Sequence, residues 1–518
     1  MKKNAQFEDY FNQLDRFKRQ ELTNIQNLLK HSTDFIYISG DFYGIQKFIF
    51  ERLTTQKASK VLRAKSAFVQ LFTMTLARYI CDQLEINTNC ILSENAGKFE
   101  ILAPIMNANI LVKIQETVDD YFIKNFFGLS GVSLSSLNCT KNDFSSSENY
   151  KALRQKIADD VEKQKFRKFN LLQQNPIMQY DQGINNQTLC PICTIRKITK
   201  GFDECNICHN FIQLGTKLAT YTVQKLVDSD QLGIRIDGFT TNLMLDDKIK
   251  SYVRMKHDEP LDFDEPLDFD ELAGQSKGLQ AIGVLKADVD NMGTFIKKSS
   301  VTNSFENFDL FSKTLDAFFS LHIPDKMKQA FPHTYTVFAG GDDLFLIGAW
   351  NEILSLARWI EQEFKAFVED KETKDLTISF GIAVAQSTTT VSFLADHTEH
   401  LLEKSKELKD KDAITLFGET VKWADYTKVF NDLSKTFEHK EVNTAFLYRL
   451  LELCEMSKKV KEGDIEATMW RSKLRYSFSR NSNQLGELFH EALVINIDKN
   501  PKETKMFLCE FIYTRREK

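Results

Sequence analysis

Residues 334–348 read TYTVFAGGDDLFLIG, two apolar β-prone runs separated by two glycines and two aspartates. The runs predict two strands, and the glycine pair predicts a tight hairpin turn, because glycine adopts backbone angles that other residues avoid. Asp342 and Asp343 are then displayed at the hairpin tip. Acidic pairs are poor strand residues and repel each other, so this hairpin gains nothing structurally from holding both.

A second acidic cluster lies upstream, where the predicted strand over 281–287 ends in Asp288-Val289-Asp290. In a palm fold the end of this strand and the hairpin tip lie side by side. Three converging carboxylates, from Asp288, Asp342 and Asp343, would hold two Mg²⁺ or Mn²⁺ ions through hard oxygen ligands. Such a pair activates a ribose 3′-hydroxyl and stabilises the leaving pyrophosphate. The alternative is a surface hairpin beside an unrelated acidic strand end.

The elements around these acids follow one order. A helical stretch over about 305–330 separates the first strand from the hairpin, a second helix follows the hairpin, and a strand over 376–385 precedes a charged helix at about 393–409. This βαββαβ order is typical of a ferredoxin-like or palm domain. The predicted nucleotide-binding residues here are Gly340, Gly341, Lys406 and Lys411. The alternative for the two lysines is a place on a solvated surface with no role in binding.

The N-terminal half predicts a related unit. After a polar helical arm, a short strand at 35–39 is followed by helical periodicity from about 45 to 84, with a hairpin at 90–102. Candidate core residues of the helical part are Phe48, Leu62, Phe68, Leu71, Leu76 and Ile80. Strand, helices and hairpin make a compact α+β unit.

Four cysteines form the pattern C-x₂-C-x₁₁-C-x₂-C: Cys190, Cys193, Cys205 and Cys208. Each pair makes a turn that presents two thiolates, and four thiolates close a tetrahedral zinc site with no open position. We therefore predict a structural Zn²⁺ in a mostly helical domain; a redox or unpaired set of cysteines is the alternative. His209 follows directly, but a fifth ligand is not needed.

Composition and charge argue against a broadly basic nucleic-acid-binding protein, a secreted protein and a membrane protein. The chain has 518 residues, 42% hydrophobic and 27% charged, with a net charge of −5, so any nucleic-acid surface must be local. Its start lacks the apolar core of a signal peptide, and no run approaches a membrane span. We expect a cytoplasmic, soluble protein with no membrane contact. Basic stretches at 57–65, 163–168 and 471–480 are either RNA contacts or solvated faces.

The predicted division of the chain has six parts. They are a helical arm (1–33), a first palm (34–150), a zinc-bearing helical domain (151–240), an acidic linker with a repeated hexapeptide (241–274), a second palm (275–420) and a C-terminal helical bundle (421–518). The fold class is α+β.

The sequence resembles the large palm-domain subunit of type III CRISPR effector complexes. The palms of that subunit are related to nucleotidyl cyclases of the GGDEF type. The matching stretches are 288–293, 338–343, 40–49, 96–99, 414–418 and 474–481. They span nearly the whole chain in the family's order.

The resemblance implies an enzyme that converts ATP to cyclic oligoadenylates when guide RNA pairs with a target transcript. Its partners would be both RNAs, through the complex, and other subunits, including the small helical one. Asp288, Asp342 and Asp343 match the family's metal-binding acids. The first palm would bind an acceptor ATP, with Ser39, Asp41 and Ser66 as candidate site residues.

Other readings stay open. Many family members begin with a histidine–aspartate nuclease domain, but the first histidine here is His31 and the one His-Asp dipeptide is His257-Asp258, so we do not expect DNA cleavage. A stand-alone nucleotidyl cyclase would not need the zinc-bearing insertion or the second palm-like unit. A catalytically silent scaffold holding guide RNA and neighbouring subunits would have no reason to keep three acids.

Overall fold

The computed structural model describes most of the chain. The described residues are 29, 33–50, 53–54, 57–95, 97–105, 109–166, 189–220, 225–245, 252, 254–256, 266–369, 373–480 and 485–516. Most of the predicted arm, and the repeat up to residue 265, including His257-Asp258, lie outside them. Within these ranges no helix has the length and apolarity needed to cross a membrane.

The first unit is a four-stranded antiparallel sheet with the order β2-β3-β1-β4. Its strands are β1 (Asp34–Tyr43), β2 (Ile91–Asn95), β3 (Lys98–Pro104) and β4 (Gly131–Thr140). Its helices are α1 (Ile45–Phe50), α2 (Ala58–Gln83) and α3 (Asn109–Phe126). This is the βαββαβ order of a ferredoxin-like fold.

The helical face of this unit has an aromatic core. All six predicted core positions are buried: Phe48, Leu62, Phe68, Leu71, Leu76 and Ile80. The one helix predicted over 45–84 is instead two, α1 and α2. Between them Leu53 turns into the core at 2% exposure, and Lys57 has a left-handed φ of 52°, which ordinary helix geometry does not permit.

The segment predicted as a helical domain over 151–240 is divided in the structure. Its first helix, α4 (Ser147–Phe166), packs on the opposite face of the first sheet, because Tyr150, Leu153 and Ile157 bury one side of it there. The cysteine segment is followed by α5 (Asn206–Thr220) and by a two-stranded sheet of β5 (Lys225–Asp228) and β6 (Asn242–Leu245). The prediction of a mostly helical domain therefore missed this sheet and the attachment of α4.

The second unit has a six-stranded sheet with the order β12-β11-β10-β7-β9-β8. Its strands are β7 (Ile282–Val289), β8 (Thr334–Gly340), β9 (Asp343–Ala349), β10 (Ile378–Ala385), β11 (Ala413–Leu416) and β12 (Glu419–Lys422). The first four repeat the ferredoxin-like order. The last two, of which β11 runs parallel to β10, extend the sheet beyond it.

The helices of this unit pack on the sheet. They are α6 (Phe269–Gly274), α7 (Met292–Lys298), α8 (Phe305–Ala317), α9 (Ile323–Ala330), α10 (Trp350–Phe367) and α11 (Val391–Glu407). The helix predicted over 305–330 is interrupted by one π-helical turn, Phe318–His322.

The C-terminal part is a helical bundle, as the sequence predicts. Its helices are α12 (Trp423–Phe437), α13 (Thr444–Lys461), α14 (Trp470–Ser479), α15 (Glu487–Lys499) and α16 (Pro501–Thr514). Arg358 of α10 makes two hydrogen bonds to Glu510 of α16, at 2.8 and 2.9 Å. Glu419 of β12, 4% exposed, pairs with Lys458 and Lys505. These ion pairs join the bundle to the second unit.

Candidate functional site

The β8–β9 hairpin tip is built as its sequence dictates. Gly340 pairs with Asp343, and Gly341 between them has φ of +64°, a left-handed conformation that glycine adopts without cost. The Gly341 N–H donates to the Asp316 carboxylate of α8 at 3.2 Å. Asp316 is buried at 5% exposure. It orients the turn that carries Asp342 and Asp343, a role that no local pattern in the sequence indicates.

Asp288 lies beside that tip. Its Cα partner on β9 is Asp343, and the N–H of Val289 donates to the carbonyl oxygen of Asp342 at 3.0 Å. The three acids thus occupy neighbouring sheet positions. Their carboxylate oxygens are not all within 4.8 Å of one another, since among the described residues only the cysteine set meets that distance. The Asp288 carboxylate instead pairs with the ammonium group of Lys406, the predicted lysine on α11.

The electrostatics of the tip favour a cation. Burial, reinforced by Asp342 and opposed by Lys286, raises the pKa of Asp343 to about 6. Burial also raises the pKa of Asp342. Lys286 on β7 is 3% exposed and pairs with Glu399, and burial lowers its pKa. Hard carboxylate oxygens that are poorly solvated and close in register fit Mg²⁺ or Mn²⁺, which would compete with these ammonium groups and relieve the repulsion.

Asp290 has a different role from its neighbour Asp288. Its carboxylate is 1% exposed and accepts hydrogen bonds from Thr377 Oγ1 at 2.8 Å, Ser379 Oγ at 2.9 Å and the Asp412 N–H at 3.1 Å. It therefore ties the end of β7 to β10 and to the turn before β11. The sequence cluster of two acids separates into one at the hairpin and one inside the fold.

A cavity of about 1420 Å³ lies between the two units. Of the predicted site residues, it is lined by Ser39, Gly340, Gly341, Asp342 and Asp343. Its other charged lining residues come from both units: Lys47, Lys98, Glu100, Lys151, Arg154, Lys165, Lys286, Lys297, Asp396 and Glu399. One surface thus combines the acidic tip of the second unit with a largely basic wall from the first.

The remaining predicted residues lie outside this lining. Asp41 is buried on β1 and pairs with Lys165 of α4 at 2.9 Å. Ser66 lies on α2, half-buried. Lys411 lies in the turn after α11, with a left-handed φ of 46°.

The sequence missed a cluster that joins the units at the cavity. Arg154 of α4 donates to Glu100 of β3 at 2.6 Å and to the Tyr37 hydroxyl at 3.2 Å, while that hydroxyl donates to Glu100 at 2.6 Å. The guanidinium also lies 4.2 Å from the ring centre of Phe308 on α8. Nothing distinguishes Arg154 from the other charges of its helix in the sequence, because its partners are far away along the chain.

The four predicted cysteines do converge. Their sulfur atoms all lie within 4.8 Å of one another, and all four residues are buried. His209 is engaged elsewhere, since its Nδ1 lies 2.9 Å from Glu204 and its ring packs on Phe202. Four sulfurs at this spacing match the donor set of a closed tetrahedral zinc site.

The cysteine segment is held against the first unit. The Arg196 side chain donates to the carbonyl oxygen of Asn125 at 2.5 Å, and the Thr54 N–H donates to that of Ile192 at 3.3 Å. Gly215 of α5 lies so close to α2 that a Cβ there would be 2.1 Å from the Lys60 carbonyl oxygen. A metal bound by the cysteines would therefore support the α2–α5 packing.

Comparison with known proteins agrees with this architecture. Residues 281–415 match the family model of the Cas10/Cmr2 second palm domain, and residues 34–183 match that of Csm1 subunit domain B. A Cas10/Csm1 protein (subtype III-A) from Methanocaldococcus jannaschii is 25% identical over 527 residues, an alignment covering 83% of this chain.

The chain belongs to the Cas10/Csm1 family.

This confirms the resemblance predicted from the sequence, and it confirms an α+β fold with a palm domain. The chain spans 65% of the length of the Methanocaldococcus jannaschii relative, whose name describes a single-strand-specific deoxyribonuclease. The deoxyribonuclease activity in that name describes the relative and is not assigned to this chain.

Solved structures share the fold over nearly the whole chain. A Csm1–Csm4 cassette in complex with AMPPNP has a TM-score of 0.70 and 18% identity, covering 94% of this chain and 70% of the Csm1 chain. A Csm1–Csm4 cassette in complex with cA4 has a TM-score of 0.67 and 19% identity, covering 93% and 70%.

Proposed function

We propose that the chain synthesises cyclic oligoadenylates from ATP when a target RNA pairs with the guide RNA of a type III CRISPR complex. The observation that carries this proposal is the opening of Asp342 and Asp343 onto a cavity shared by two ferredoxin-like units. Transfer between two nucleotides requires two adjacent binding sites with the acids at one of them. The AMPPNP and cA4 complexes of fold relatives support this choice of ligand.

The proposed chemistry is nucleotidyl transfer in the second unit. Bound Mg²⁺ or Mn²⁺ would supply Lewis-acid activation of the attacking hydroxyl and charge neutralisation of the pyrophosphate. Asp288, Asp342 and Asp343 would hold the ions. Gly340 and Gly341 leave room for phosphates to approach the backbone, since a Cβ at Gly341 would meet no atom within 4 Å. Lys406, whose ammonium group pairs with Asp288 in this structure, would be free to contact phosphate if Asp288 held a metal ion.

We propose that the first unit is also a palm domain and that it binds the acceptor nucleotide. Its hairpin, Ser93-Glu94-Asn95-Ala96-Gly97, has no acidic pair, and its buried Asp41 is already neutralised by Lys165. Ser39, in the cavity wall, is the predicted residue best placed to contact the acceptor. An asymmetric pair of sites, one with metal ligands and one without, fits a donor and an acceptor.

The partners belong to the same proposal. We expect the chain to act in the cytoplasm within a complex that contains guide RNA, target RNA, a Csm4-like subunit and the small helical subunit. The Csm4-like subunit is suggested by the composition of the solved cassettes. We also propose a structural Zn²⁺ on the four cysteines and keep the domain boundaries predicted from the sequence, except that α4 packs on the first sheet.

The test uses the assembled complex with labelled ATP, Mg²⁺ and a matching target RNA. We expect cyclic products from the wild type, and a loss of at least about 100-fold in rate for Asp342→Ala/Asp343→Ala, because the charges that hold the metals are gone. The matched control is Asp325→Ala, an exposed acid on α9 away from the cavity. RNA binding and assembly should be unchanged in both variants.

Two results would contradict the proposal. Wild-type rates in the double variant would show that the acids are not catalytic, and a fully assembled, RNA-bound wild type that leaves ATP unchanged would favour a silent scaffold. Labelled single-stranded DNA in a parallel incubation tests the separate expectation that this chain does not cut DNA.

A further inference from the structure

The two units can be aligned by the pairing register of their strands. In the first, Asp41 of β1 lies opposite Lys98 on β3 and Ser133 on β4. In the second, Asp288 of β7 lies opposite Asp343 on β9 and Ser379 on β10. In both units the strand order is the same, and β3 and β9 each begin directly after a hairpin turn. Lys98 therefore occupies in the first unit the position that Asp343 occupies in the second.

The partners of the first-strand acids repeat as well. Asp41 pairs with Lys165, and Asp288 pairs with Lys406. Each lysine comes from the helix that follows the fourth strand of its unit, α4 or α11. The acid–lysine pair is thus common to both units. The units differ in charge at the first residue after the hairpin turn, which is Lys98 in the first unit and Asp343 in the second.

Lys98 faces the same cavity as the acidic tip. Its side chain is exposed and lines the cavity together with Asp342 and Asp343. Among the described residues no ion pair involves it.

We propose that the Lys98 ammonium group is the fixed cation of a phosphate subsite in the first unit, where it binds the triphosphate of a nucleotide without a metal ion. It replaces, at the equivalent register position, the carboxylate that holds metal in the second unit. This inference rests on the proposed function for the identity of the ligand.

The chemistry follows from the sign of the charge. An ammonium group at this position repels a divalent cation and leaves Asp41 without a second carboxylate, so the position is unsuited to metal. It attracts phosphate oxygens through charge-assisted hydrogen bonds. A nucleotide is the favoured source of that phosphate because the cavity also opens onto Asp342 and Asp343, the proposed metal ligands.

The experiment measures equilibrium binding of ATP and of adenosine to the full chain in EDTA. It uses the Asp342→Ala/Asp343→Ala background, which removes the metal site, and compares Lys98→Met, Lys98→Arg and Lys113→Met. Lys113 is an exposed lysine of α3 outside the cavity and is the matched control. Tripolyphosphate competes in a third arm, to separate phosphate recognition from base recognition.

We expect Lys98→Met to weaken ATP binding about tenfold or more, as for the loss of a charge-assisted hydrogen bond. Adenosine binding should not change, Lys98→Arg should retain most of the ATP affinity, and tripolyphosphate should compete only when residue 98 is basic. Unchanged ATP affinity in Lys98→Met, or an equal loss for ATP and adenosine, would overturn the proposal. If the assembled wild-type complex never converts ATP, and ATP binding still depends on Lys98, the proposed function is refuted and the Lys98 subsite stands.

Discussion

Asp343 holds its proton more tightly than an exposed aspartate because burial disfavours the carboxylate. Its pKa is about 6, against an ordinary value of 3.8. The folded chain therefore binds more protons than the unfolded chain between these values, and in the absence of metal its stability falls as pH rises through this window. Bound metal favours the ionised form and removes that cost.

The pH dependence of metal binding follows directly. We expect Mn²⁺ affinity to be constant above about pH 7 and to fall by up to about tenfold per pH unit below pH 6, because metal must displace the proton. Titrations of free Mn²⁺ by electron paramagnetic resonance, with the wild type and Asp343→Asn, measure this. A flat profile in the wild type between pH 5 and 7 would contradict the assignment of Asp343 as a ligand.

For folding, Gly341 is required by its backbone angle and not by close packing. With φ of +64° and no atom within 4 Å of an added Cβ, Gly341→Ala is expected to cost about 1–2 kcal/mol of stability, the price of a left-handed conformation. Gly293→Ala is the matched control. It also meets nothing within 4 Å but lies in α7, where alanine is favoured. Thermal unfolding should show a lower midpoint for the first variant and not for the second.

At the scale of single elements, local chemistry decided what the sequence could predict. The β8–β9 hairpin and the cysteine quartet are specified by residues adjacent or closely spaced in the chain, so turn chemistry and ligand spacing were sufficient. Helix α4 was assigned to the wrong neighbour because its apolar face does not say which surface covers it. Asp290 and Asp288 look alike in the sequence, and only the packing of β10 separates them.

Zinc is expected to stabilise the first unit through the α2–α5 contact. Purified chain should contain about one zinc per molecule, and Cys190→Ser/Cys193→Ser should lose it and unfold at a lower temperature. Cys81→Ser/Cys139→Ser, which alters two buried cysteines outside the quartet, is the control that should keep the metal. Elemental analysis provides the measurement, and metal-free wild-type protein of normal stability would contradict it.

At the scale of the whole molecule, the cavity and its coupling to both units lay beyond sequence reasoning. The cavity is lined by residues of both units and of α8, a helix that carries both Phe308, under the Arg154 guanidinium, and Asp316, which orients the hairpin. The register match between Lys98 and Asp343 likewise needs strand pairings separated by long stretches of chain.

Breaking the Arg154–Glu100 pair, which ties α4 to β3, is expected to destabilise the first unit. Both side chains are mostly buried, at 20% and 14% exposure, so Arg154→Ala should cost about 2–3 kcal/mol by leaving Glu100 uncompensated. The control is Arg449→Ala, whose pair with Glu452 is exposed and should cost less than about 1 kcal/mol. Thermal melting compares the two variants, and equal small shifts would mean that the pair does not hold α4 on the first sheet.

We propose that Asp288, Asp342 and Asp343 hold two catalytic metals at the edge of the cavity between the units, where they face a bound nucleotide. Anomalous diffraction from crystals of the chain with Mn²⁺ and a non-hydrolysable ATP analogue tests it most directly. We expect two manganese peaks about 4 Å apart, bound by these three carboxylates and touching the nucleotide phosphates, and absent from Asp342→Ala/Asp343→Ala crystals. An ordered nucleotide in the cavity with no manganese on these acids would contradict it.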